Sequence, residues 1–384
     1  MTPKSLESIK IHQFRGLRDL ELGNLGLINL LVGINNSGKT SVLEAINIYC
    51  HPLDLRVWLG TARQREQEAI RARTPAIDAL RWLFSHEFSF DKEQLQKGNI
   101  LISSEGSFSV KKMEATYEQI EGIWVSDRRN KRSFSGEEQA LENEEIPGIR
   151  KGLDLKIDLF TEQLSLLESV PSLTESFQLW EDEFLSRLAG KGEPSLRTAI
   201  VTPSSHRSEI GQIRLLSEAR FQNFKSDVLN LLQQLDRNIS DIEILLSPET
   251  VTSRFNIYIH HERLGLAPIS TFGDGVRRLL HIALKLASVK GGVLLIDELE
   301  STIHTEALQN SFSWLTKWCK EMDVQLLATT HSLEAVDALL EVTESSSELV
   351  LYRLEPKEMH TRVVRHDWNR LKRLREELGQ EVRW

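Results

Sequence analysis

The chain has 384 residues, 40% hydrophobic and 27% charged, which is the balance of an ordinary globular protein with room for two or three domains or for one large domain with an insertion. A formal net charge of −9 argues against a passive polyanion binder, whose affinity would rest on many lysine and arginine contacts to phosphates, although a local basic groove stays open. Only two cysteines occur (Cys50 and Cys319), no apolar run approaches the roughly 18 residues of a membrane span, and the N-terminus lacks a signal peptide's apolar core; the expectation is a cytoplasmic protein without a disulfide framework, a cysteine zinc site or a membrane segment.

In chain order, residues 5–14 (SLESIKIHQF) alternate weakly and read as a strand. Gly16 and Asp19 mark a turn, and residues 20–32 carry further strands. The apolar run 25–32 leads into Gly33-Ile34-Asn35-Asn36-Ser37-Gly38-Lys39-Thr40, which fits the Walker A pattern at every fixed position. Val42, Leu43, Ile46 and Tyr49 then fall at helical spacing. A loop between a buried strand and a helix N-terminus is the context this chemistry needs. Glycines let backbone N–H groups turn toward one point, and the helix end adds partial positive charge suited to phosphate. Gly33, Asn35, Asn36, Ser37, Gly38, Lys39, Thr40 and Ser41 are therefore the candidate phosphate-binding residues. Lys39 would reach the β- and γ-phosphates, and Thr40 would offer its hydroxyl to Mg2+.

Residues 54–85 are charged and helix-prone, whereas residues 98–122 alternate apolar and polar around Gly106, a hairpin signal. Between 126 and 148 a basic block precedes an acidic one and reads as a solvated loop or linker, with a charged docking surface as the alternative. Residues 150–188 carry helical spacing up to the breaker AGKGEPS, and a second long helix is expected over 206–235, with Phe224, Val228, Leu231 and Leu235 on one face. Strands return at 242–246 and 254–260. The turn Gly273-Asp274-Gly275 then opens a helical run, 279–289; such a turn caps a helix N-terminus, and it can also meet a phosphate on a neighbouring subunit.

The run Gly291-Gly292-Val293-Leu294-Leu295-Ile296-Asp297-Glu298 reads as a central parallel strand ending in two carboxylates, a Walker B element. Asp297 would hold the Mg2+ water shell, and Glu298 would polarise the attacking water. After an amphipathic helix over 308–318 comes another buried strand, 326–332 (LLATTHS), which ends in His331, a candidate switch histidine for the γ-phosphate. The chain closes on a helical pattern with Trp368, Leu371, Leu374 and Leu378 near one face, expected to pack on the chain's own head, with partner docking as the alternative.

Together these motifs resemble the ABC-type ATPase head and, within that class, its RecF- and SMC-like branch. The opening IKIHQFRGLRDLEL, PSSHRSEIGQI (203–213) and VQLLATTHSLEAVDAL (324–339) are similar to ATP-binding proteins related to OLD (overcoming lysogenisation defect) nucleases and to the ATPase subunit of PARIS-type phage-defence systems. The resemblance implies an α/β fold, a P-loop NTPase of ABC-ATPase type with a mainly helical insertion. The head would be split in sequence (1–50 and 196–350) around an insertion (51–195) of helices plus a β-hairpin that completes an antiparallel lobe, with a strand and helix over 351–384. It also implies ATP and Mg2+ as cofactors, with Thr40 and Asp297 serving the metal and Glu298, His331 and Lys39 the chemistry. Arg15 of the FRG element and Gly273, Asp274 and Gly275 would contact nucleotide, the last three across a head–head dimer, while residues 300–302 would form the loop that couples the two sites. No glutamine stands out as the Q-loop residue; Gln64 and Gln96 are weak candidates, and the transporter-type signature serine is missing. Only about fifty residues follow TTHS, where OLD nucleases carry a TOPRIM domain, so any nuclease is expected on a separate polypeptide. The function implied is a regulatory ATPase that self-associates and controls a TOPRIM-type effector in anti-phage defence. A RecF-like DNA repair clamp, with Arg128, Arg129, Lys131 and Arg132 at the surface, and a low-turnover ATP-bound scaffold are the alternatives.

Overall fold

The computed structural model describes residues 4–64, 75–85, 97–124, 148–161, 170–181, 193–207, 209–246, 255–357 and 360–384. The first strands, β1 (Ser8–Phe14) and β2 (Leu17–Leu22), form a tight hairpin through Arg15, whose φ is 48°, and Gly16. Asp19 lies within β2 at φ 45°, not in the turn. The strand β3 (Ile28–Gly33) is buried at every residue and runs into α1 (Lys39–Cys50). Two short helices follow, α2 (Leu55–Arg63) and α3 (Ala76–Arg81), and then β4 (Lys97–Glu105) and β5 (Val110–Trp124), which pair as a hairpin.

The next segment departs from expectation. In place of helices over 150–188, the chain forms β6 (Gly148–Thr161) and β7 (Leu173–Trp180), so the described part of the insertion is mostly strand. The physical reason is the period. Leu153, Leu155, Ile157 and Leu159 are all buried while Asp154, Lys156, Asp158 and Phe160 between and after them are not, which puts one face of a strand on the core. Burying each of these side chains contributes about 1.5–3 kcal/mol, more than helix propensity can offset. The resulting antiparallel sheet has the order β2-β1-β4-β5-β6-β7. The charged stretch 126–148 lies almost wholly outside the described residues, as do Gln96 and the basic residues 128–132.

The second half begins with β8 (Thr198–Val201), then α4 (Glu209–Phe221) and α5 (Lys225–Leu235). The single helix expected over 206–235 is thus two. Asn223 adopts φ 56° between them, a left-handed conformation that an asparagine tolerates and a helix cannot contain. A small sheet of β9 (Ile239–Leu246), β10 (Phe255–His261) and β11 (Gly265–Pro268) precedes α6 (Asp274–Ser288). Then come β12 (Val293–Ile296), α7 (Thr305–Glu321), β13 (Gln325–Thr329), α8 (Leu333–Glu341), β14 (Leu349–Pro356), β15 (Thr361–Asp367) and α9 (Trp368–Lys372). On α9 and the turn after it, Leu371 is fully buried and Trp368 and Leu374 pack against the head's core, while Leu378 is exposed.

The central sheet has the order β15-β14-β3-β13-β12-β8, parallel except for β15. One of its faces, together with α1, packs against the antiparallel sheet; the other carries α4 to α8. Because α1 is held between two sheets, it is buried nearly all round, and its Glu44 is fully buried against Arg15, with 3.0 Å between carboxylate and guanidinium. Gln325 links the two sheets, donating to Leu6 O (2.8 Å) and Gly26 O (3.1 Å) and accepting from Leu6 N (3.2 Å). The parallel registers keep the strand ends level, Ile296 beside Ala328 and Val201, and Thr329 beside Leu31. The loops that leave β3, β13, β12 and β8 therefore gather at one edge, where open α/β sheets bind ligands.

Candidate functional site

Tight backbone shapes the loop after β3. Gly33 has φ 150° and Gly38 φ 92°; a Cβ on Gly33 would stand 2.7 Å from Leu354 O and from Ser37 Oγ, and one on Gly38 would stand 2.5 Å from Leu17 Cδ2. Asn36 takes φ 63°. Lys39 is almost fully buried and curls back over the loop, donating to Gly33 O (2.8 Å) and Ile34 O (3.0 Å). Burial lowers its pKa, against the opposing pull of Asp297, Glu298 and Glu300. Ser37 Oγ is buried without a hydrogen-bond partner, so the loop holds an orphaned hydroxyl where a phosphate oxygen would be received. Ile34, Asn35 and Asn36 are exposed along the loop's outer side.

Thr40 and Asp297 meet across the site. The Thr40 hydroxyl lies 3.0 Å and 3.2 Å from the two Asp297 carboxylate oxygens. Thr329, at the end of β13, donates its hydroxyl to Asp297 (2.6 Å) and accepts the Glu298 N–H (2.8 Å). The Glu298 backbone is strained, with φ 51°, and three contacts hold it there: Thr329 on its N–H, and Arg278 (2.6 Å) and the Ser301 N–H (3.0 Å) on its carbonyl. The Glu298 side chain is left exposed at the sheet edge. Thr40 and Asp297 offer hard oxygen donors of the kind Mg2+ takes, and Mg2+ bound with phosphates needs only one or two protein ligands. Among the described residues no group of three or more His, Cys, Asp or Glu side chains is gathered to hold a metal.

Sequence reasoning missed Arg278. It is fully buried on α6 and also donates to Thr202 O (2.9 Å) and Asp297 O (2.9 Å), so one guanidinium ties the ends of β8 and β12 together. Burial lowers its pKa, opposed by Glu298, Glu300 and Asp297. Thr329 and Glu44 were missed as well. Thr329 sits inside the TTHS string; nothing local in the sequence marks Glu44 or Arg278.

His331 is exposed just past β13, and its N–H is held by Glu300 Oε1 (2.9 Å). The turn at α6 lies beside the segment after Glu298: a Cβ on Gly275 would stand 2.9 Å from Thr302 O. Gly273 has nothing within 4 Å of such a Cβ. Asp274 is engaged within its own chain, 3.2 Å from Arg277, 3.3 Å from Arg207 and 3.4 Å from His206. Its pKa is lowered: desolvation, the largest single influence, acts upward but is outweighed by Arg207 and His206 together. Arg15 likewise has its charge placed against Glu44 on α1. Gln64 caps α2 and lines a cavity with Asn47, Thr61 and Lys285, while the loop that follows β8 carries His206 and Arg207.

Comparison with known proteins agrees with this architecture. A family model described as AAA domain, putative AbiEii toxin, Type IV TA system matches residues 168–337, and one described as AAA ATPase domain matches residues 5–53. An uncharacterized protein of Methanocaldococcus jannaschii, MJECL11, is 45% identical over 69 residues, which are 18% of this chain and 60% of that protein. An ATP/GTP phosphatase of Helicobacter pylori is 23% identical over 353 residues, 88% of each chain. Among solved structures, an SMC head bound to the C-terminal winged-helix domain of ScpA shares 12% identity over 94% of this chain and 98% of its own, with a TM-score of 0.48. The chain has a P-loop ATPase fold of mixed α/β sheets, and its two ATPase matches span the Walker A loop on one side and Asp297, Glu298 and His331 on the other.

Proposed function

We propose that this chain binds ATP with Mg2+ at the edge of the parallel sheet and hydrolyses it. The observation that carries the reading is the hydrogen-bonded series from Thr40 through Asp297 and Thr329 to Glu298, which joins the phosphate loop to the expected base. Lys39 and the loop N–H groups hold the β- and γ-phosphates, and Lys39 exchanges its two carbonyl partners for phosphate oxygens. Thr40 and Asp297 would hold the metal, which when bound would neutralise charge on the phosphate oxygens. Glu298 accepts the proton of the attacking water, and His331 contacts the γ-phosphate.

In the same reading two heads engage around ATP, the α6 turn of each facing the Walker loop of the other, and engagement controls a separate effector, a TOPRIM-type nuclease in anti-phage defence. Support for that role comes from the resemblance to OLD- and PARIS-related ATPases and from the toxin–antitoxin description of the matching family model. Phosphate release, nucleotide titration and light scattering test both levels. Glu298→Gln is expected to lower turnover about 100-fold or more while keeping ATP bound and the assembly closed; Lys39→Ala is expected to lose nucleotide affinity. Wild-type turnover by Glu298→Gln would remove the base assignment. A closed dimer that forms only with DNA, with steeply salt-dependent stimulation, would favour the repair clamp.

A further inference from the structure

The last residues of the chain return to the site, which nothing in the motifs foretells. After α9, Leu378 N and Gln380 N bond back to Arg373 O and Leu374 O, and Arg375 clamps the return, donating to both Asp337 carboxylate oxygens on α8 (2.7 and 2.8 Å) and to Gln380 O (2.6 Å). Val382 is buried in the core of the head. Beside it, Arg383 donates through Nε and Nη2 to Glu381 (2.9 Å each) and stacks its guanidinium 4.1 Å from the Trp384 ring. Its remaining nitrogen, Nη1, donates to His331 O at 2.5 Å.

The His331 backbone is therefore held on both sides of its Cα. Glu300, from the segment after β12, takes its N–H, and Arg383 takes its carbonyl. One residue on, Ser332 begins α8 by accepting the Ala335 N–H, so the clamped residue lies in the short link between β13 and α8. A guanidinium fixed on three sides by a carboxylate, a ring and a buried neighbour is far more rigid than a free surface arginine.

We propose that Arg383 is a positioning residue for the hydrolytic site: it sets the orientation of the His331 side chain toward the γ-phosphate by holding the His331 carbonyl. The proposal rests on His331 being the γ-phosphate contact. Arg383 itself does not touch nucleotide; it acts through the peptide. A charge-assisted hydrogen bond to a peptide that must adopt one orientation in the transition state affects turnover and leaves ground-state binding nearly unchanged.

The test is steady-state ATP hydrolysis by the full chain carrying Arg383→Ala, Arg383→Lys, His331→Ala and the double substitution Arg383→Ala/His331→Ala, each checked for thermal unfolding and ATP affinity. Arg383→Ala is expected to lower kcat about tenfold with KM within twofold and an unchanged unfolding midpoint, and Arg383→Lys to recover part of the loss. The double variant should be no slower than His331→Ala alone, because both changes act on one contact. A wild-type kcat for Arg383→Ala beside an impaired His331→Ala would overturn the positioning role and leave the site reading intact. Full activity in His331→Ala would overturn the γ-phosphate reading itself. Additive losses in the double variant would mean that Arg383 works elsewhere, and a loss accompanied by a lowered unfolding midpoint that Arg383→Lys restores with no gain in kcat would assign it to folding alone.

Discussion

The Walker edge and the α6 turn adjoin one another, yet they are held in different ways. At the Walker edge side chains and backbone from several strands are already tied together: Thr40 to Asp297, Asp297 to Thr329, and the backbone of the strained Glu298 to Thr329 and Arg278. At the α6 turn the one charged residue, Asp274, is paired with His206, Arg207 and Arg277 of its own chain, and a Cβ on Gly273 would meet open space. One region is held together by hydrogen bonds within a single chain. The other presents backbone to whatever approaches, with its side-chain charge spent on its own support. Preorganisation matters because donors and carboxylates set in place before reaction need no rearrangement during it. An open glycine turn suits an approaching phosphate, since only backbone need be offered.

Breaking the link between the two regions should have the largest effect. Arg278→Leu removes the guanidinium that binds Thr202, Asp297 and Glu298 carbonyls; turnover should fall below detection and stability by about 2–3 kcal/mol, read by urea unfolding. A wild-type unfolding curve would show that the three carbonyls find other partners. The next change separates the regions without unfolding either. Gly275→Val meets Thr302 O, so the turn must move off the segment after Glu298; turnover should drop about tenfold while ATP affinity stays within twofold, because the Walker loop is untouched. Equal losses in affinity and turnover would mean that the turn supports the loop of its own chain.

The smallest effect concerns pH. On α6 behind the turn, His281 is buried and its pKa is pushed down to about 3, first by desolvation and then by Lys285, His206 and Arg278. His366 is lowered to about 4, again chiefly by burial, with Arg370 and Arg353 adding to the effect. In the unfolded chain both titrate near 6.5 and take up protons that the folded chain refuses. Their contribution is thus fully present above about pH 6.5 and is lost as pH falls toward the folded values, by up to roughly 1.4 kcal/mol per unit for each. His281→Leu should flatten the decline in unfolding midpoint between pH 6.5 and 4.5; an unchanged slope would place the acid sensitivity elsewhere.

Much of the site is legible because its parts are short strings. An apolar run followed by GINNSGKT, by DE or by THS identifies a buried strand and the residues at its end without knowledge of the fold. The same habit misled over residues 150–188. There the strict alternation of Leu153, Leu155, Ile157 and Leu159 was present in the sequence, but a looser helical spacing spread over a longer window obscured it. The roles of Arg15 and Asp274 are a different matter. Their motif positions can be named, but the partners that hold their charges, Glu44 for one and His206, Arg207 and Arg277 for the other, include residues far away along the chain.

Local chemistry therefore accounts for the phosphate loop, the two carboxylates and the strands that carry them, because glycine freedom, hydrophobic run length and a terminal polar residue act over a few neighbouring positions. Which groups meet is another question. Arg278 reaches Thr202 and Asp297, Arg383 reaches His331, and Glu44 receives Arg15 only after strands far apart in the chain have been brought into register and α1 has been enclosed between two sheets. Such contacts depend on orientation and burial in three dimensions, and a charge that will be paired looks the same in sequence as one that will face water.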